Sequence, residues 1–110
     1  MKVHLVKQIT VKDFCARHPQ SKEVFADWLG KIRTVDWTKP GDIGRSFSSA
    51  DLLGNGSQRV VFDIGGGNYR IICAYAFGVH KVHLFICWIG SHAEYDKINK
   101  AGKQYTVKIF

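Results

Sequence analysis

The sequence predicts an α+β domain in which an antiparallel β-meander is covered on one face by two helices. Three apolar runs, Gln58 to Ile64, Tyr69 to Phe77 and Val82 to Ile89, follow one another across short joints that contain glycine, as hairpin-connected strands do. An apolar stripe at helical spacing lies upstream, formed by Phe25, Trp28, Leu29 and Ile32. With 110 residues and no internal linker, residues 1–110 are predicted to form a single domain.

The first elements follow from local signals. Val3 to Val6 is a short apolar segment, which we interpret as an edge or joining strand. Thr10 to Asp13 resembles a capping box, so a first helix is expected to begin at Thr10 and to stop at Pro19. Ser21 is the expected N-cap of the second helix, which carries the apolar stripe and runs to about Arg33.

The segment 35–56 loses helical periodicity and is predicted to be mostly loop, with a helical turn near Asp42. The run Gly65 to Gly67 joins two strands, whereas dinucleotide and nucleotide loops join a strand to a helix, so these glycines are expected to supply positive φ in a hairpin. A short C-terminal helix should follow Ser91 and be broken at Gly102, and Tyr105 to Phe110 alternates enough to offer a last strand.

Composition limits the partners. Sixteen Lys and Arg against nine Asp and Glu give a formal charge of +7, which favours association with phosphates or other polyanions, the alternative being that the charge serves solubility. The three cysteines have no Cys-x-x-Cys spacing and are expected to be buried free thiols. No apolar run resembles a signal peptide or a membrane span, so a cytoplasmic protein without a membrane partner is expected.

The segment Ser91 to Lys97 concentrates side chains that can transfer protons. Ser91 and Glu94 have the spacing of a capping box, which assigns Glu94 to the helix start rather than to catalysis. His92 then takes the first helical position, where the helix dipole disfavours imidazolium and leaves a neutral ring that can accept a proton. Tyr95 lies three residues further on, within reach of the same face.

Two neighbours of His92 allow alternative interpretations. Asp96 lies four residues on and either orients the imidazole or forms a metal pair with it, although no third ligand is recognisable. Lys97 either pairs with Glu94 or contacts phosphate.

Arg70 is the second residue of an otherwise apolar predicted strand, in line with Ile72 and Ala74. Because an unpaired buried charge is costly, the guanidinium must meet an anion or reach solvent. It therefore forms a salt bridge with Asp63 or Glu94, or it binds a phosphate, for which its planar fork is well suited.

Together, Phe62 to Arg70 and Ser91 to Lys97 resemble the two signature segments of HigB-type toxins in the RelE superfamily. The resemblance implies a RelE-like fold and the toxin of a type II toxin–antitoxin pair. It further implies an endoribonuclease that cleaves mRNA, in better-known members on translating ribosomes, without a metal or other cofactor. A helix-turn-helix antitoxin is the implied protein partner.

Carried over by motif position, the resemblance assigns Arg70 to stabilising charge on the phosphate, and His92 and Tyr95 to handling or orienting protons. Lys97 and Asn68 are assigned to RNA binding, Asn68 because family members commonly have asparagine one position earlier, where this chain has glycine. The alternatives are a non-catalytic RNA- or protein-binding module of the same fold, and a metal-dependent nuclease that uses His92 with Asp96.

Overall fold

The computed structural model describes residues 1–110 as five strands and four α-helices. In chain order they are β1 (Lys2–Val6), α1 (Ile9–Arg17), α2 (Lys22–Ile32), α3 (Gly41–Ser46), β2 (Asp51–Leu53), β3 (Arg59–Ile64), β4 (Tyr69–Phe77), β5 (Lys81–Ser91) and α4 (His92–Lys100). Single 3-10 turns lie at Pro19–Ser21 and Lys103–Tyr105. None of the helices is long and apolar enough to cross a membrane.

One sheet has the strand order β1-β5-β4-β3-β2. The predicted meander is confirmed, because β3, β4 and β5 pair antiparallel in succession. The predicted edge strand is also confirmed: β1 pairs parallel with β5 at one edge. The other edge is β2, a three-residue strand within the segment that sequence patterns predicted to be loop. The helical turn expected near Asp42 is α3.

Helices α1 and α2 cover one face of the sheet, as predicted. Phe25, Trp28 and Ile32 of the stripe are buried there, and Leu29 is partly buried at its margin. The opposite face carries a smaller core under α4, in which Tyr95 packs with apolar residues of four strands, namely Leu53, Val61, Ile72, Cys87 and Trp88. The sheet therefore separates two apolar layers, and the catalytic candidates belong to the α4 side.

The predicted last strand does not form. After the 3-10 turn the chain crosses the α4 face of the sheet with one backbone hydrogen bond to it, from Ile109 N–H to the Cys87 carbonyl at 2.9 Å. β1 pairs with β5 only as far as Phe85, so the edge of β5 beyond that residue is open, yet the segment makes just this one backbone bond there. Arg59, only 8% exposed, holds this segment instead, because its Nη1 donates to the carbonyls of Gln104 (3.2 Å) and Val107 (2.7 Å).

The three predicted helix starts have different outcomes. The capping box at Thr10 is wrong: α1 begins at Ile9, and the Thr10 hydroxyl donates to the Lys7 carbonyl at 2.8 Å. Ser21 does precede α2, but its hydroxyl donates to the His18 carbonyl at 2.7 Å, because a 3-10 turn leads directly into the helix. The capping box at Ser91 and Glu94 is confirmed.

Two smaller predictions are confirmed. Gly65, Gly66 and Gly67 have φ values of 65°, 67° and 93° in the β3–β4 hairpin. All three cysteines are free thiols, two of them buried, and burial raises the pKa of the Cys73 thiol well above its ordinary value. Cys15 is only partly buried.

Candidate active site

Sheet register brings Arg70 and His92 together. Arg70 pairs with Gly90 across the β4–β5 ladder, and α4 begins at His92 directly after β5. The His92 N–H donates to the Asn68 carbonyl at 3.1 Å, which fixes the start of α4 against the β3–β4 turn. Two of the three predicted catalytic residues, 22 positions apart in the chain, are thereby placed in direct contact.

Five side chains form what we call the Arg70–His92 cluster: Asp63, Arg70, His92, Tyr95 and Asp96. Arg70 Nη2 lies 2.9 Å from His92 Nδ1, and Arg70 Nε lies 2.6 Å from Asp63 Oδ1. On the far side of the imidazole, His92 Nε2 lies 3.3 Å from Asp96 Oδ2. Four of these side chains thus form a chain from β3 to α4 in which Arg70 and His92 lie between two aspartates.

Arg70 forms the salt bridge that the sequence allowed, and it still has N–H groups that can bind a phosphate. Its ion pair is with Asp63, the facing residue on β3, rather than with Glu94. The Nε–H bond is not directed at the carboxylate oxygen, so the contact is an ion pair rather than a linear hydrogen bond. Since guanidinium carries five N–H groups, three remain for a phosphate after the contacts with Asp63 and His92.

The contact with Arg70 determines the imidazole tautomer. Arginine can only donate, so Nδ1 of His92 must present its lone pair to the guanidinium. In the neutral ring the proton is then on Nε2, which faces Asp96, the orienting contact that the spacing allowed. The His92 side chain is 48% exposed, so its ring is open to a ligand.

Tyr95 is the buried member of the cluster, only 6% exposed. Its ring lies 5.2 Å from the Arg70 guanidinium carbon and packs against Trp88, with ring centres 6.2 Å apart. Burial, followed by the negative charge of Asp51, raises the pKa of the Tyr95 hydroxyl, which is therefore protonated at neutral pH. The ring is positioned to support the guanidinium by a cation–π contact.

Glu94 closes the helix start, as the sequence predicted. The Ser91 N–H donates to Glu94 Oε1 at 2.8 Å, and the Glu94 N–H donates to Ser91 Oγ at 3.1 Å. The backbone hydrogen bond from Ser91 is the main reason that the pKa of Glu94 lies below its ordinary value. Because this carboxylate already occupies the positive end of α4, the strongest cation available to a phosphate here is Arg70.

The two predicted RNA-binding residues lie near the cluster without joining it. Asn68 is exposed at the end of the glycine turn, and its backbone carbonyl is the acceptor for His92 N–H. Lys97 is exposed on α4 and has no carboxylate within 4.0 Å, so the ion pair with Glu94 that its spacing allowed does not form. Both side chains are free to contact a ligand.

Sequence reasoning missed Gly90, which shapes the layer below the cluster. A β-carbon at this position would lie 2.5 Å from Trp88 Cζ2 and Cη2 and 3.1 Å from Glu94 Oε1. The indole ring therefore lies across Gly90 and packs against Tyr95. The spacing Trp88-Ile89-Gly90 was the available signal, since alternation puts the first and third residues of a strand on one face.

No three His, Cys, Asp or Glu side chains lie close enough together to hold a metal ion. His92 and Asp96 stand as a pair, and the neighbouring Asp63 is engaged by Arg70.

Comparison with known proteins yields one family and several relatives. A family model described as HigB toxin, RelE-like toxic component of a toxin-antitoxin system, matches residues 21–98. The mRNA interferase HigB of Escherichia coli O6:H1 is 26% identical over 98 residues, which cover 89% of this chain and 93% of that protein. The mRNA interferase toxin HigB of Escherichia coli K12 and mRNA interferase HigB of Shigella flexneri are each 28% identical over 94 residues, covering 86% of this chain and 88% of theirs.

Proposed function

Because this chain belongs to the HigB family, the RelE-like toxic components of toxin–antitoxin systems, we propose that it is an endoribonuclease that inhibits translation by cleaving mRNA. The names of its relatives as mRNA interferases support this activity. We further propose that cleavage takes place in the cytoplasm on translating ribosomes, needs no metal, and is neutralised by a HigA-like helix-turn-helix antitoxin.

The observation that carries the proposal is the 2.9 Å contact between Arg70 Nη2 and His92 Nδ1 at an open surface. Cleavage of RNA at its own 2′-hydroxyl needs a cation for the negative charge that develops on the phosphate and a base for the hydroxyl proton. The guanidinium supplies the first and the imidazole the second. Their contact puts both groups within reach of one phosphodiester.

In the proposed reaction, a phosphate oxygen accepts hydrogen bonds from the free N–H groups of Arg70, and Nη2 turns from His92 to the phosphate. Nδ1 of His92, released in this way, accepts the proton of the ribose 2′-hydroxyl. The 2′-oxygen forms a bond to phosphorus while the bond from phosphorus to the 5′-oxygen breaks. The products are a cyclic phosphate and a 5′-hydroxyl, whose proton comes from water because the site is open.

The remaining residues position these two groups. Asp96 holds His92 through Nε2 and stabilises the imidazolium that forms during the reaction. Asp63 and the ring of Tyr95 hold the guanidinium from two sides, so we assign Tyr95 to positioning through Arg70. Asn68 and Lys97 are proposed to bind RNA on the turn side and the helix side of the cluster.

The test incubates the purified protein with mRNA in the presence of a chelator, with and without translating ribosomes. We expect cleavage that withstands the chelator and leaves cyclic phosphate and 5′-hydroxyl ends, identified by end-specific labelling. Loss of cleavage under the chelator would favour a metal-dependent nuclease. Absence of cleavage in both settings would favour the non-catalytic binding module.

A matched pair of variants tests the site. His92→Ala should abolish cleavage and relieve growth inhibition with a melting temperature close to wild type, because the ring is half exposed and makes no core contact. His80→Ala is the control, since His80 is exposed in the β4–β5 turn, away from the cluster. Cleavage by the folded His92→Ala variant at the wild-type rate would exclude His92 as the base.

A further inference from the structure

The β1 end of the α4-side sheet face carries a second set of basic and aromatic side chains, beside the C-terminal residues Lys108 and Phe110. Lys2 pairs with Lys81, and His4 pairs with His83, across the parallel β1–β5 ladder. Alternation along β5 puts Phe85 on the same face as His83. We call the five strand residues Lys2, His4, Lys81, His83 and Phe85 the histidine–phenylalanine patch.

Aromatic rings lie together in this patch. The rings of His83 and Phe85 are stacked, with centres 5.9 Å apart and planes inclined by 17°, and His4 meets His83 edge-on at 5.7 Å. Phe85 is 40% exposed, and no other Phe, Trp or Tyr of the chain is as exposed. A large aromatic ring left open beside imidazoles is suited to stacking against a flat, polarisable ligand.

The strands that carry and flank the patch, β1, β4 and β5, contain basic but no acidic residues; Asp36, which lies near Lys2, pairs with the N-terminal ammonium. Eight of the sixteen Lys and Arg, and none of the nine Asp and Glu, lie in the segments that include β1, β4, β5 and the C-terminus, namely residues 1–7, 69–91 and 97–110. The remainder of the chain therefore has eight basic against nine acidic residues, so the net positive charge lies on the part that includes the patch. Lys2 and Lys81 are both exposed at its end.

We infer that the histidine–phenylalanine patch is an accessory site for single-stranded RNA, with a base stacked on Phe85 and His83 and phosphates held by Lys2 and Lys81. The inference rests on the proposed function, which supplies RNA as the ligand. Aromatic faces for bases combined with lysines for the backbone are the recurring means by which sheet surfaces bind single strands. An acidic protein partner would pair with the two lysines but would have no use for the exposed ring of Phe85.

The patch and the Arg70–His92 cluster can act on one strand of RNA. Both lie on the same face of the sheet, since Arg70 pairs with Gly90 while Ala76, six residues further along β4, pairs with His83. At a rise of about 3.3 Å per residue the two sites are roughly 20 Å apart. RNA bound at the patch would thus be held near the cluster without being cleaved at the patch.

The test measures binding of a short fluorescein-labelled single-stranded RNA whose riboses are 2′-O-methylated, so that it cannot be cleaved at the 2′-hydroxyl. The key variant is Phe85→Leu, which keeps an apolar side chain for packing but removes the aromatic face. We expect fluorescence anisotropy to show a dissociation constant raised about fivefold or more. In Lys2→Gln/Lys81→Gln, the slope of log affinity against log salt should fall by about 0.7 per lysine.

The matched control is Lys12→Gln/Lys22→Gln, which removes two exposed lysines from α1 and α2 on the opposite face of the sheet. This control should reduce RNA binding much less than the Lys2→Gln/Lys81→Gln variant does. Because the two sites are well separated, Phe85→Leu should also weaken binding by the same factor in an Arg70→Ala background.

Folded Phe85→Leu and Lys2→Gln/Lys81→Gln variants that bind the methylated RNA as tightly as wild type would overturn the inference. So would patch variants that lose only antitoxin binding, because the surface would then be a protein interface. Patch-dependent binding by a wild-type protein that cleaves no RNA would instead contradict the proposed function alone. The two proposals can therefore fail separately.

Discussion

Replacing Arg70 by lysine separates the charge of this residue from its shape. The guanidinium meets Asp63 with Nε, His92 with Nη2 and the ring of Tyr95 with its face. An ammonium keeps the positive charge, but as a compact group it cannot make all three contacts and bind a phosphate as a fork. Arg70→Lys should therefore fold while losing the geometry that the reaction needs.

The size of the effect follows from these contacts. Loss of one preorganised donor to a developing oxyanion costs about 10²–10³ in rate, so we expect cleavage to fall by at least that factor. Stability should change less, because the cation–π contact with the Tyr95 ring contributes about 1 kcal/mol and the charge beside Asp63 is retained. For a domain of this size, that corresponds to a melting temperature lowered by about 4–8 °C.

The assay maps mRNA ends by primer extension in a translation reaction, at equal concentrations of folded protein, and thermal unfolding is followed by circular dichroism. Arg45→Lys is the control, because Arg45 also pairs with an aspartate, Asp42 at 3.3 Å, but its side chain is 74% exposed and lies in α3. It should leave both rate and melting temperature unchanged. If folded Arg70→Lys kept more than about a tenth of wild-type cleavage, charge alone would suffice and the fork argument would be refuted.

Three further predictions concern the surroundings of the cluster. Glu94→Ala should lower the free energy of unfolding by about 1 kcal/mol in urea titration. The amide oxygen of Glu94→Gln can still accept from Ser91 N–H, so this variant should be closer to wild type in stability and remain active; a stable but inactive Glu94→Gln would contradict the capping role. Gly90→Ala should cost about 1–3 kcal/mol in the same titration and reduce cleavage, because its β-carbon displaces the indole beneath Tyr95, while the unobstructed Gly44→Ala should not. Burial raises the pKa of Tyr95 above 10.0, so its ionisation favours the unfolded state: its contribution to the free energy of unfolding is constant below pH 10.0 and is lost as the pH rises through the folded-state pKa. The stability of Tyr95→Phe should therefore fall less steeply in alkali than that of wild type, and identical curves of stability against alkaline pH would argue against this burial effect.

The sequence determined those features that depend on near neighbours. The bounds of β4 follow from an apolar run between two joints that contain glycine, and the buried stripe of α2 follows from helical spacing. The capping box at Ser91 and Glu94 follows from side chains three residues apart. Local contacts also explain why the predicted cap at Thr10 does not form: the Thr10 hydroxyl donates to the carbonyl of Lys7 in the preceding turn.

The tertiary structure decided what depends on which strands are neighbours. The C-terminal residues did not become a strand because Arg59, from the distant strand β3, binds the carbonyls of Gln104 and Val107 that strand pairing would need. The short strand β2 is defined by its pairing with β3 and by little in its own sequence. Pairing across a sheet joins distant residues, so no local pattern reveals it.

The same division applies to the site. Residue type and motif position were enough to select Arg70 and His92, because phosphate binding and proton transfer need those groups. Only the register of β3, β4 and β5 decided that Arg70 pairs with Asp63, that His92 presents Nδ1 to it, and that Tyr95 lies buried beneath. The physical reason is that each contact forms between chain segments whose separation is set by strand pairing, and pairing is a property of the whole sheet.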